Sequence, residues 1–435
     1  MIRGVLYIDP GTGSMLFSII IGIAGVVVFA LRLLIIKLGF LLHGGSGGKS
    51  SGKMPICIFS EGKRYWTYFR PICDEFEKRK IEVHYLTASE DDPVFAADYV
   101  FVKPRFIGEG NRALAKMNIL NADIVLATTP GLNVYQWKRS KTVSWYVHIP
   151  HMAADIDSYR MFGLVYYDAV LLSGQHQADR IRKLEKLRGT AEKELVFAGI
   201  PYMDKMKERL DQSGVRKQPN KEPVVLLAPT WGKSGILSVY GDSIIEYLLR
   251  TPYKIIIRPH PQSFVSEKEL MDHLMEKFPE TDRLSWNRDA DNFDVLNEAD
   301  ILISEFSGVL FDFSLVYDKP VIYTEPENFD SSPYDNAWLD EELWSFSVLP
   351  RIGRKLTREN LESIGALIED CLNDTNSAND AQERDRVRQE TWCNIGHGAE
   401  KVVDYIEKKH QELTKEDKSV DKMNEKEGKD KENGT

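Results

Sequence analysis

Short aliphatic runs alternate along this chain with longer stretches whose apolar residues fall three and four apart. Residues 56–59, 82–86, 98–102, 123–127, 142–148 and 168–172 read as strands, and 65–80, 111–118 and 175–188 as helices. Strands apolar on both faces, separated by helices, predict parallel βαβ units covered on both sides. After residues 196–201 the polar stretch 204–222 predicts a linker helix and loop. A second series follows, with strands at 223–228, 254–257, 300–303 and 321–323 and helices at 243–250, 266–277, 293–299 and 308–317. The expected fold class is α/β: two Rossmann-like domains, 55–203 and 223–409, facing across a cleft, with ligands beyond the carboxyl ends of the strands.

The pattern breaks at both ends. Residues 15–31 are an unbroken run of apolar or small side chains, extended to 42 with only Arg32 and Lys37 as charges. Seventeen helical residues rise roughly 26 Å, enough for the hydrocarbon core of a bilayer. The run predicts one N-terminal transmembrane helix after a short segment 1–14. Lys37, Lys49 and Lys53 follow it, so the positive-inside rule predicts a single-pass cell-membrane protein with a cytoplasmic body. Residues 43–54 read as a Gly/Ser linker. A phosphate loop is excluded there, because His43 stands where GxxxxGK[ST] needs glycine. At the other end, 410–435 is dominated by Lys, Asp and Glu and reads as a disordered charged tail.

Composition narrows the function classes. With 43% hydrophobic residues most of the chain can bury cores, and a net charge of −10 gives no support for nucleic-acid binding. Cys57, Cys73, Cys371 and Cys393 are far apart, without a CxxC pair, so neither zinc nor an oxidising compartment is implied. No carboxylate cluster suggests a dedicated metal site.

Candidate chemistry sits at strand exits. In the run Arg258-Pro259-His260-Pro261, Pro259 helps end the strand, His260 is a possible acid or base, and Arg258 offers a phosphate fork or an ordinary surface ion pair. Ser304 and Ser307 with Gly308 open a helix, which seats a phosphate or simply caps the helix; Asp312 lies one turn on, reaching a ribose or holding the loop. His148 and His151 follow a first-domain strand and approach the cleft from the other side; Pro150 between them argues against a shared helical metal face.

These segments, with Pro229-Thr230-Trp231-Gly232 after the strand 223–228, resemble the CDP-glycerol glycerophosphotransferase family, which builds the glycerol-phosphate units of teichoic acids. The similarity runs over about 140–405 and is strongest over 224–324. It implies a GT-B fold, with His260 as a catalytic histidine and His151, in competition with His148, as its first-domain partner. Ser304, Ser307, Gly308 and Asp312 would fall on the nucleotide and phosphate loop, Thr230 on the cleft floor, and 394–399 on a loop closing over the nucleotide. The implied partners are a CDP-glycerol or similar CDP-polyol donor, a lipid-linked or teichoic-acid-like acceptor and the membrane. No cofactor is implied beyond a Mg2+ ion riding on the donor pyrophosphate. Two other readings of the same fold are a glycosyltransferase using a sugar nucleotide and a non-catalytic membrane scaffold.

Overall fold

The computed structural model describes residues 53–213, 222–289, 291–326, 329–374 and 378–432, together with Val27 and Leu31. The expected membrane run 15–42, apart from those two residues, and nearly all of the linker 43–54 lie outside the described residues. Among the described residues no helix is long and apolar enough to cross a membrane. The chain divides into a unit Met1–Lys53 and a unit Met54–Thr435, and the latter holds both lobes described below.

The first lobe is built on a parallel sheet of seven strands: β1 (Met54–Ser60), β2 (Val83–Thr87), β3 (Val102–Phe106), β4 (Ala122–Ala127), β5 (Val143–His148), β6 (Ala169–Leu172) and β7 (Glu194–Phe197). Their spatial order is β3-β2-β1-β4-β5-β6-β7. The second lobe has six parallel strands: β8 (Val224–Leu227), β9 (Lys254–Ile257), β10 (Leu284–Trp286), β11 (Ile301–Ser304), β12 (Val321–Tyr323) and β13 (Gly353–Lys355). They lie in the order β10-β9-β8-β11-β12-β13. Both orders reverse at the first strand of the sheet, between β1 and β4 and between β8 and β11. Such reversal points are where doubly wound sheets bind ligands.

Each sheet is covered on both faces. One face of the first sheet buries Phe59, Val125, Tyr146 and Val170. The other buries Ile58, Leu126, Val147 and Leu171 under helix Trp66–Arg79 and the C-terminal helix. In the second lobe one core gathers Val225, Ile255 and Ile303. The other, with Leu226, Leu302 and Phe311, continues through Ala153, Tyr202 and Met203, so the two lobes share apolar packing at their junction.

The expected elements recur within a few residues, with instructive exceptions. The third strand is displaced to Val102–Phe106, where Pro104 is tolerated because β3 is an edge strand. Two three-residue edge strands, β10 and β13, were too short to stand out as apolar runs. The larger correction concerns the tail. One helix runs Gly398–Glu432, so residues 410–432 are helical rather than disordered. Val402, Val403 and Ile406 are fully buried against the first lobe, and Leu413 packs on the same core. Beyond the chain reversal the helix draws on good helix formers and on i,i+4 pairs such as Lys408–Glu412. The second domain therefore does not end at 409 as a separate body: its last helix returns to the first sheet.

Candidate active site

Four loops meet at the two reversal points: those following β1 and β4 in the first lobe, and those following β8 and β11 in the second. His151 follows β5, beside the β4 loop, and His260 follows β9, beside the β8 loop. Parallel strands all deliver their carboxyl ends to one edge, which is why residues so distant in sequence can converge there.

His151 is half-buried, and its Nδ1 lies 3.0 Å from Thr128 Oγ1. Tyr65 and Tyr68 stand edge-on to its ring, each with centroids 5.6 Å away. Burial, with a smaller push from the Arg64 charge, lowers its pKa to about 4. The next residue makes the crossing between lobes: a Cβ placed on Gly308 would lie 3.4 Å from Met152 Cβ. Position 308 therefore lies at van der Waals distance from the segment that carries His151.

His260 is exposed, and its Nδ1 accepts the Gln262 backbone N–H at 3.1 Å. In the neutral ring the proton then sits on Nε2, a donor. Although the residue reaches solvent, the loops packed around it partly desolvate the ring; that and then the Arg64 charge lower its pKa, so the ring is neutral near pH 7. His148 is different. It is fully buried at the end of β5, with Nε2 3.2 Å from the Tyr159 hydroxyl and its ring edge-on to Tyr159 and Tyr167. Burial holds it well below the ordinary histidine range. Depth separates the two: His148, the last residue of a central strand, points into the core, whereas His151 is half-buried.

The second-lobe loop is held from within. Ser304 is buried and donates to the Ala228 carbonyl at 2.6 Å, and its Oγ lies 3.1 Å from that of half-buried Ser307. The Ser307 side chain caps no amide of the helix Gly308–Phe311 that it precedes. Glu305, one residue after β11, was not singled out from the sequence. Its buried carboxylate accepts the Thr230 N–H at 2.8 Å and also the Ile236 N–H, which bracket the loop after β8. Burial raises its pKa to about 7, opposed by those amides. Thr230 is thus placed through its backbone. The signal available was position: a carboxylate between two serines at a strand exit is aimed at backbone amides.

Two of the candidate residues have partners within the protein. Arg258 donates to Asn287 Oδ1 and, at 2.8 Å, to the Asp289 carbonyl, which ties the exit of β9 to the segment after β10. Asp312 is buried and accepts the Tyr202 hydroxyl at 2.6 Å, joining the second lobe to helix Pro201–Gln212. Its burial raises its pKa to about 7. The segment 394–399 is held at the end of β7 and at helix Pro201–Gln212. Asp204 accepts the Gly396 and Gly398 N–H groups, each at 2.8 Å, and the Trp392 Nε1–H at 2.9 Å. Among the described residues no group of three or more His, Cys, Asp or Glu forms a cation cradle.

With this geometry in place, similarity to known proteins is decisive for the family. Residues 165–408, more than half of the chain, match the family described as CDP-Glycerol:Poly(glycerophosphate) glycerophosphotransferase. The chain belongs to this family. Among curated proteins it is 26% identical over 176 residues to the teichoic acid glycerol-phosphate primase of Bacillus spizizenii, and 24% identical over 179 residues to that of Bacillus subtilis. Each match takes in 38% of this chain and 42% of the relative's length. Among solved structures, the wall teichoic acid polymerase TagF aligns over 89% of this chain and 99% of its own, with a TM-score of 0.52 and 15% identity. The UDP-GlcNAc 2-epimerase of Neisseria meningitidis, solved with UDP-GlcNAc, aligns over 81% of this chain and 99% of its own, with a TM-score of 0.54 and 12% identity. At such identities these two likenesses speak for the two-lobed fold alone.

Proposed function

We propose that this protein transfers glycerol phosphate, or a related polyol phosphate, from a CDP-activated donor to a hydroxyl of a lipid-linked or polymeric cell-surface acceptor, releasing CMP. Family membership supports the donor class. The observation that carries the assignment to this cleft is the Met152–Gly308 contact, which brings the His151 segment of one lobe against the Ser304–Gly308 turn of the other.

In this reading the acceptor hydroxyl attacks the phosphorus that bears glycerol. A new P–O bond forms, the bond to the bridging pyrophosphate oxygen breaks, and CMP departs with that oxygen. His151, neutral near pH 7, takes the hydroxyl proton; its Nε2 is free to do so when Nδ1–H faces Thr128. His260, with its proton on Nε2, donates to a phosphate oxygen. The amides opening helix Gly308–Phe311, left uncapped by Ser307, add partial positive charge at the same turn. With no carboxylate cradle among the described residues, a magnesium ion would enter on the donor pyrophosphate.

The apolar run 15–31 serves in this proposal as a single-pass anchor that keeps a cytoplasmic catalytic body on the surface where the acceptor resides. Protease added outside intact cells should then leave residues 55–405 uncut; cleavage there overturns the topology. The activity is tested by nucleotide release from full-length protein with a membrane fraction as acceptor source. CMP from CDP-glycerol, and no UDP from UDP-GlcNAc, is the expected result. UDP release alone would make the protein a glycosyltransferase, and absence of any nucleotide binding would make it a scaffold.

A further inference from the structure

Phosphoryl transfer concentrates negative charge, yet the groups assigned to the cleft so far supply little positive charge to meet it. His151 and His260 are neutral near pH 7, and the Arg258 guanidinium is turned to Asn287 and the Asp289 carbonyl. Arg64 is placed otherwise. It belongs to the turn Lys63–Tyr65 that follows β1, at the reversal point of the first sheet. Its guanidinium lies 4.9 Å from the centroid of the Tyr65 ring, and that ring stands edge-on to His151. The side chain is 70% exposed, and the nearest carboxylate in ion-pair range among the described residues, Glu61, is 4.0 Å away. Burial raises the Glu61 pKa, and the Arg64 charge opposes that rise. Neighbouring Lys63, by contrast, is engaged by Asp91. The Arg64 charge also reaches both imidazoles, one from each lobe.

We propose that Arg64 is a phosphate-binding residue contributed by the first lobe: its guanidinium, carried on the Tyr65 ring beside His151, pairs with oxygens of a substrate phosphate in the cleft. This inference rests on reading the cleft as the transfer site. A planar guanidinium with parallel N–H donors suits two phosphate oxygens, which lysine matches only as a point charge. The phosphate has two possible sources, the donor pyrophosphate or a phosphate ester of the acceptor.

The test uses full-length protein and the variants Arg64→Ala and Arg64→Lys, both at an exposed position and checked by melting curves. Calorimetry measures binding of inorganic pyrophosphate and of glycerol 3-phosphate, and initial rates give KM for donor and acceptor separately. For the donor source, Arg64→Ala should weaken pyrophosphate binding and raise the donor KM roughly ten- to a hundredfold, with partial rescue by Arg64→Lys. If glycerol 3-phosphate binding and the acceptor KM move instead, Arg64 holds the acceptor phosphate. A second readout is histidine titration by NMR. His151 is faced by Tyr65 and Tyr68, by Thr128 after β4 and by His148 on β5; His260 is faced by the Gln262 amide. Among the described residues Arg64 is the charge common to both, so its removal should shift both titrations to higher pH while Arg64→Lys leaves them nearly in place. Wild-type-like binding of both anions by Arg64→Ala, with unmoved titrations, overturns the proposal. If the wild type binds pyrophosphate through Arg64 but releases no CMP from CDP-glycerol, the transfer reading fails and the phosphate site stands.

Discussion

Three histidines of this chain carry the same side chain into three environments, and their environments decide what each can do. His151 is half-buried and His260 exposed, whereas His148 is sealed between Tyr159 and Tyr167. Replacing a general base or a charge donor typically costs about 10² to 10⁴ in rate. His151→Ala and His260→Ala should each lower CMP release at least about a hundredfold with little change in melting temperature. His148→Ala should do the reverse, leaving a core cavity that costs on the order of 2–4 kcal/mol. A folded His260→Ala variant with near-normal turnover would sink the mechanism. Asp312 makes a separate prediction about pH. Its folded pKa, about 7, lies above its ordinary value of 3.8, so its contribution to stability is complete below that ordinary value and is lost as pH rises through about 7. Asp312→Asn keeps an oxygen to accept the Tyr202 hydroxyl and has no charge to acquire. Thermal melts from pH 5 to 8 should show the variant gaining on wild type as pH rises; parallel curves would mean that Asp312 does not titrate in this range.

At the scale of elements, what the sequence made legible was whatever a short apolar run bounded by polar or turn residues, or a helical periodicity, could signal. The strands Lys254–Ile257 and Val321–Tyr323 and the helix Gln175–Arg188 coincide with their expected bounds, and Gly189, in the left-handed region at φ 61°, ends that helix. The histidine and serine loops were legible too, because a strand exit is a local feature. Partners were not. Nothing near Arg258 in sequence announces Asn287, nothing near Glu305 announces the amides of Thr230 and Ile236, and the Met152–Gly308 contact spans both lobes. The C-terminal helix was missed for a related reason: local composition argued against order, and its stability comes from a distant sheet. Docking contacts are described as far as Leu413 in the first lobe's core, His410 against Asp123 and Lys409 against Glu194. Removing residues from 417 onward should therefore leave the melting temperature nearly unchanged. Ile406→Ala, at a fully buried position, should cost about 2–4 kcal/mol. Equal loss in both would show that the distal turns also dock.

Across the whole molecule, the two lobes are joined twice, by helix Pro201–Gln212 on the way out and by the segment around 391–398 on the way back. These crossings are locked together at Asp204. Its carboxylate holds two backbone amides and an indole N–H from the returning segment, while Thr391 donates to the Ala153 carbonyl at 2.5 Å and the Cys393 N–H bonds the Ser173 carbonyl at 2.8 Å. The approach is close: Gly199, at φ 95°, lies where a Cβ would be 2.4 Å from the Cys393 carbonyl oxygen. Asp204 is thus a structural joint between the outgoing helix and the returning segment. Hydrogen bonds to a charged group contribute roughly 1.5–3 kcal/mol each, and their loss here would leave two amides of a tight turn without their acceptor. Asp204→Ala should therefore cost several kcal/mol of stability, on the order of 3 or more. Because the cleft is assembled from both lobes, turnover at saturating donor should fall as well, measured below the variant's melting transition. Asp204→Asn, which keeps an oxygen for one amide and offers an N–H to the others, should lie between the two. Unfolding curves and CMP release on the same samples separate the outcomes: a loss of stability with wild-type turnover would leave the joint structural but would remove its role in setting the cleft.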